Sequence, residues 1–139
     1  MEANELTDGI YVYFNCFDDS KIIVKVTGFK DGVVYGISET GSHWCTIEKV
    51  EPIPITPEIL EKNEFVQKSD GWLWCKIEGI EDKNYIFIQF RKGCDEVRLV
   101  ELNFVNKVLA RYEQIHYVHE LQHVLRICGN EKTIELWKL

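Results

Sequence analysis

The sequence predicts an α+β fold. A small SH3-like or strongly bent β lobe over residues 1–52 is followed, over residues 53–139, by a helix, a three-stranded antiparallel meander and a C-terminal amphipathic helix packed against it. Three observations lead there. The first 51 residues alternate apolar and polar in short runs split by turn signals. Three prolines, Pro52, Pro54 and Pro57, mark a junction. An apolar stripe at helical spacing runs from Tyr117 to Cys128.

Ile10, Val12 and Phe14 share one face of the first strand, with Tyr11 and Tyr13 on the other. A turn is expected at Asp18-Asp19. Ile22 to Thr27 is rich in β-branched residues and reads as the second strand. Lys30-Asp31-Gly32 signals a hairpin into Val33–Ile37, and Gly41-Ser42 a turn before a fourth strand from His43 to Val50. The prolines exclude helix and favour an extended connector. Thr56 is placed to cap a helix from Pro57 to Asn63 with Ile59 and Leu60 facing inward.

The meander follows as Trp72–Ile77, Tyr85–Phe90 and Val97–Leu102, with a turn near Glu81–Asn84. Its strands carry bulky apolar residues on both faces, so both faces are expected to be covered. A helix is expected from Glu113 to Cys128, capped by Gly129-Asn130. Tyr117, Val118, Leu121, Val124, Leu125 and Cys128 form its apolar stripe; His116, His119, Glu120 and His123 fall on the opposite, wet side. Thr133 to Leu139 reads as a closing strand.

Composition narrows the function classes. The chain has 139 residues, 45% hydrophobic, which supports a packed core rather than disorder. Its net charge is −7; residues 1–52 hold 4 basic and 9 acidic side chains, a net −5. A negative field repels phosphates and argues against general nucleic-acid binding. No apolar run approaches the ~20 residues of a membrane span. Cys16, Cys45, Cys75, Cys94 and Cys128 are odd in number and lack CxxC spacing, which points to reduced thiols in a cytoplasmic protein.

One motif names a reaction. His119-Glu120-Leu121-Gln122-His123 matches HExxH, in which two histidines one turn apart hold Zn²⁺ and the glutamate deprotonates its bound water. A third ligand is hard to find. The extended form of the motif requires Gly at position 126 and His at 129, where this chain has Arg126 and Gly129. His116 shares the helix face, and Glu131 and Glu135 follow close behind. No GxSxG, GxGxxG or P-loop is present. Tyr11, Tyr13, Tyr35 and Trp44 are candidates to line a groove on the β lobe, as small β folds do for extended peptides; Trp72 and Trp74 are a second such pair.

The connector EPIPITPEILEKNEF, Glu51 to Phe65, resembles a P-(I/L)-T-x-E-x-L-x-K-x-x-F segment. YVHELQHVL, Tyr117 to Leu125, closed by Cys128-Gly129, resembles a Y-V-H-x-L-Q-N ending. Both are similar to uncharacterised small proteins of Bacteroidetes genomes and their phages and mobile elements. The resemblance covers most of the chain and implies no catalytic residues. In that pattern the position of His123 is often Asn and that of Glu120 often Gln, which implies that HExxH is an accident of this chain. The expected function is a non-catalytic protein-interaction or accessory module without a cofactor, with a protein partner. The alternatives are a Zn-dependent hydrolase using His119, Glu120 and His123, and an acidic decoy for a nucleic-acid-binding protein.

Overall fold

The structure, a computed structural model, describes residues 1–15, 20–68, 73–78, 84–91, 96–104, 107–127 and 134–136. The chain divides into two compact units. The first comprises Met1–Pro54 with Tyr117–His119 and Leu136–Leu139; the second comprises Ile55–His116 with Glu120–Glu135.

The first unit holds one antiparallel sheet. Its strands are β1 (Tyr11–Asn15), β2 (Lys21–Lys30), β3 (Val33–Ser38), β4 (Gly41–Thr46) and β5 (Val50–Glu51), in the spatial order β4-β3-β2-β1-β5. Alternation sends Val12, Phe14, Val24, Val26 and Val34 to one face, where with Ile10 and Val50 they form the buried cluster. Each such side chain contributes roughly 1.5–3 kcal/mol on burial. Asp31 (φ 53°) and Gly32 (φ 78°) make the tight turn between β2 and β3, the left-handed pair that a two-residue hairpin requires. Register shifts between Val26 and Gly28, a bulge that lets the ten-residue β2 bend. A 3-10 turn at Ile47–Lys49 then returns the chain so that β5 pairs with β1, Phe14 opposite Val50.

The second unit also holds one antiparallel sheet. Helix α1 (Pro57–Lys62) precedes β6 (Val66–Lys68), β7 (Leu73–Glu78), β8 (Asn84–Phe90), β9 (Val97–Phe104) and β10 (Lys107–Tyr112), in the order β10-β9-β8-β7-β6. Register places Trp74 beside Ile88 and Ile88 beside Val100, with Ile86 beside Leu102. All five are buried on one face. Thr56 caps α1 as expected: its hydroxyl accepts from the Ile59 N–H at 3.3 Å, and Pro57 opens the helix. Asn63 closes it. The Asn63 amide then donates to the Glu135 carbonyl (2.9 Å) and accepts from the Glu135 N–H (2.8 Å), a side chain acting as one rung of a ladder.

Helix α2 (Val118–Ile127) ends the described regular structure. It is shorter than the expected span from Glu113. Residues 116–118 are instead held extended. Ile55 N–H donates to His116 O, Val118 N–H donates to Ile53 O, and Pro54 bridges Tyr117. Backbone groups already bonded this way cannot close helical rings.

These findings overturn the α+β expectation. The protein's described residues are mostly β, two antiparallel sheets of five strands each with two short helices, and not a small SH3-like lobe joined to a three-stranded meander. The miscount has a physical cause. β5 is two residues long and β6 three, too short for alternation to register. β10 is Lys-Val-Leu-Ala-Arg-Tyr, built largely from helix formers. Pairing with β9 overrides that preference, with a bulge between Val108 and Ala110. Residues 134–136 of the expected closing strand are not strand. The turn at Asp18-Asp19, the Gly129-Asn130 cap and Trp72 lie outside the described residues.

Candidate interaction face

β1, β3 and β4 bring the four singled-out aromatics to one sheet face, opposite the buried cluster. Tyr11 pairs with Lys25 and Lys25 with Ile37, so the three share a side; Tyr35 pairs directly with Trp44 and lies two residues from Ile37. Exposure then divides the set. Tyr11 is 2% exposed, with Lys25 Nζ 5.9 Å from its ring centroid. Tyr13 is half-buried, with Lys21 Nζ at 5.7 Å. Tyr35 is 45% exposed and Trp44 68%, and Ile37 beside them is 39%. The open patch is therefore Tyr35, Ile37 and Trp44.

The β3–β4 hairpin that carries the patch is locked at its turn. Ser38 Oγ lies 2.7 Å from His43 Nε2 and 3.0 Å from Thr40 Oγ1, and it accepts from the Thr40 N–H at 3.1 Å. Sequence reasoning did not single out this pair. Its members are five residues apart, and only the Glu39–Thr40 turn brings them together. Below the patch, β3 and β2 approach closely at Gly36, where a Cβ would stand 2.7 Å from the Lys25 carbonyl oxygen and overlap the Val24 side chain.

The histidines do not form the expected wet face. His119 is 2% exposed and Gln122 is fully buried, while Tyr117, expected inside, is 36% exposed. α2 is covered around most of its circumference, so its periodicity marked only part of the buried surface. His119 Nε2 lies 3.4 Å from Glu5 Oε1, and its ring stacks on Tyr117 with centroids 6.0 Å apart. The Glu2 N–H holds the Glu5 carboxyl below its ordinary value; burial opposes it, and His119 adds to the lowering. Glu120 Oε1 accepts from the His116 N–H at 3.0 Å, which fixes the start of α2. His116 and His123 are half-buried. Among the described residues, no three His, Cys, Asp or Glu side chains gather to hold a metal ion.

Cys45 is half-buried and Cys75 buried, and burial pushes the Cys75 thiol up; Cys16, Cys94 and Cys128 lie outside the described residues. In the second unit, Leu73, Phe87, Gln89, Leu99, Glu101 and Asn103 line a shallow trough of about 240 Å³ on the sheet face opposite Trp74 and Ile88. The carboxylate there is committed, since Glu101 pairs with Arg111 at 3.1 Å. No helix among the described residues is long and apolar enough to cross a membrane. Comparison of the chain with protein-family models, curated proteins and solved structures returned no match.

Proposed function

We propose that the chain is a non-catalytic protein-interaction module, in the bacterial or phage setting that its connector and helix motifs resemble, and that it engages its partner through Tyr35, Ile37 and Trp44. One observation carries this reading. Trp44, the most exposed large apolar side chain of the described residues at 68%, stands directly beside Tyr35 at 45% on a hairpin whose turn is tied by Ser38. Trp and Tyr dominate the residues whose removal most weakens interfaces, and contiguous exposed apolar surface marks binding sites. A net charge of −7 favours a protein over a phosphate-bearing partner. The hydrolase reading lacks comparable support, because His119 is buried against Glu5 and Glu120 holds a backbone N–H.

Affinity capture from a bacterial lysate with the wild-type chain and a Trp44→Ala variant tests it. The wild type is expected to retain a discrete protein that the variant loses, a weakening of about 2 kcal/mol or roughly 30-fold. Stability should change by no more than about 0.5 kcal/mol, since the side chain is open to solvent. Equal capture by both proteins contradicts the assignment.

A further inference from the structure

We infer that the outer edge of β4 takes a second copy of this chain, antiparallel about a twofold axis at Trp44, so that two first sheets join into one. This goes beyond the interaction reading above: side chains stay on the sheet faces, and the two Tyr35–Trp44 patches become one continuous face across the pair. β4 is the outermost strand of its sheet. The two-residue Glu39–Thr40 turn makes Ser38 and Gly41 the closing hydrogen-bonded pair, and such pairs alternate along the hairpin. Gly41, His43 and Cys45 therefore bond inward to β3, and the Ile47 N–H continues the series by donating to Gly32 O at 3.0 Å. Ser42, Trp44 and Thr46 turn their N–H and C=O groups outward. All three are exposed, and no backbone bond from them to another element exists among the described residues.

Proteins normally blunt such an edge with charge, proline, a bulge or brevity. β4, Gly-Ser-His-Trp-Cys-Thr, has none of these along six unbroken pairs. The other outer strands are blunted: β10 by a bulge, β5 and β6 by lengths of two and three residues.

Register selects the occupant. Only outward-facing residues exchange bonds with an added strand, so each opposes another outward-facing residue. One such register uses all three: Trp44 opposite Trp44 of the other copy, and Ser42 opposite Thr46 on either side of the axis. A slip of two residues in either direction leaves Ser42 or Thr46 opposite a turn residue. Aromatic pairs and Ser–Thr pairs are favourable cross-strand neighbours. Beyond the strands the same register brings Glu39 of each copy opposite Lys49 of the other and Thr40 opposite Glu48, so opposite charges meet and like charges do not. Asp31, at the Lys49 end, has Lys30 beside it. β4 is thus complementary to itself read backwards, whereas an unrelated strand has to bring the aromatic, the hydroxyls and the cation of its own.

The test is sedimentation and amide exchange of the isotope-labelled full chain as its concentration is raised about a hundredfold, to about 1 mM. A dimer should form, with protection appearing at Ser42, Trp44 and Thr46 and little change at His43 and Cys45. Thr46 has φ −72° and ψ 152°, values that proline adopts, and its N–H faces outward. Thr46→Pro therefore removes a donor from each side of the interface and none from the hairpin, and should weaken the dimer at least about tenfold while the chain stays folded. Disulfide trapping reads the register. Across the axis the Trp44 Cα atoms should lie about 5.5 Å apart, within disulfide reach, and the Ser42 Cα atoms roughly 14 Å apart. On a Cys45→Ser background, Trp44→Cys should cross-link under a mild oxidant and Ser42→Cys should not. A chain that stays monomeric at the highest concentration, a dimer indifferent to Thr46→Pro, or equal cross-linking by both cysteine variants overturns the proposal. So does a monomer whose Ser42, Trp44 and Thr46 amides shift with an alternating lysine–valine peptide, because a foreign strand then occupies the edge. A monomer that still shows Trp44-dependent lysate capture overturns the pairing alone and leaves the interaction reading standing; failure of both removes both.

Discussion

Asn63→Ala is expected to lower the unfolding free energy by about 2 kcal/mol, read as a shifted urea midpoint with an unchanged slope. The side chain is 8% exposed and makes three bonds: to the Ile59 carbonyl at 2.8 Å and to both backbone groups of Glu135. Truncation deletes the closing contact of α1 and the tie to a segment 72 residues away. Glu135 is exposed, so water can reach its freed groups, and the full penalty for burying unpaired polar atoms does not apply. Asn63→Asp separates the contributions. A carboxylate still accepts from the Glu135 N–H but cannot donate to the Glu135 and Ile59 carbonyls, so it should be about as harmful as alanine. A change under about 0.5 kcal/mol for both would show that the tie does not exist in solution.

Gly36→Ala is expected to cost about 2–3 kcal/mol, although it adds one methyl group in a strand, where glycine is intrinsically unfavourable. The added carbon would overlap Val24 Cγ1, which is fully buried, and crowd the Lys25 carbonyl carbon at 3.3 Å and its oxygen at 2.7 Å. The valine has little rotamer freedom, and the carbonyl is fixed by the sheet. Adding Val24→Ala should relieve the side-chain overlap and leave the backbone one, so the double variant should not return to the stability of Val24→Ala alone. If Gly36→Ala is neutral in a denaturant melt, β2 and β3 do not approach this closely. Tyr35 and Ile37 flank Gly36, so the same substitution should also weaken partner capture.

Much of the first sheet was legible because its signals are local. The alternation of Ile10, Val12 and Phe14 grouped the side chains that form the core face of the first strand, and Asp31-Gly32 named a turn whose φ values only a few residue types adopt. Thr56 and Pro57 fixed the start of α1 to the residue. Elements held by distant partners were illegible. β5 exists because β1 offers it an edge, β10 because β9 outweighs the helical preference of Leu109 and Ala110, and the late start of α2 because Ile53 and Ile55 take its first backbone groups. In the candidate face, alternation put Tyr11 and Tyr13 on one side of the first strand, with Tyr35 and Trp44 as further candidates for the same groove, but period alone carries no information about which of them solvent reaches. The same gap put His119 on a wet face. A histidine at helical spacing reads as polar until its acidic partner, here Glu5, 114 residues away, is known.

Amide hydrogen exchange of the free chain along β4, the outermost strand of the first sheet, tests the placement of Trp44 beside Tyr35 most directly. Its geometry predicts slow exchange at His43 and Cys45, whose N–H groups bond to β3, and near-unprotected exchange at Ser42, Trp44 and Thr46, whose N–H groups face water. Uniform protection of all five at concentrations where the chain is monomeric would contradict the register that sets Trp44 beside Tyr35.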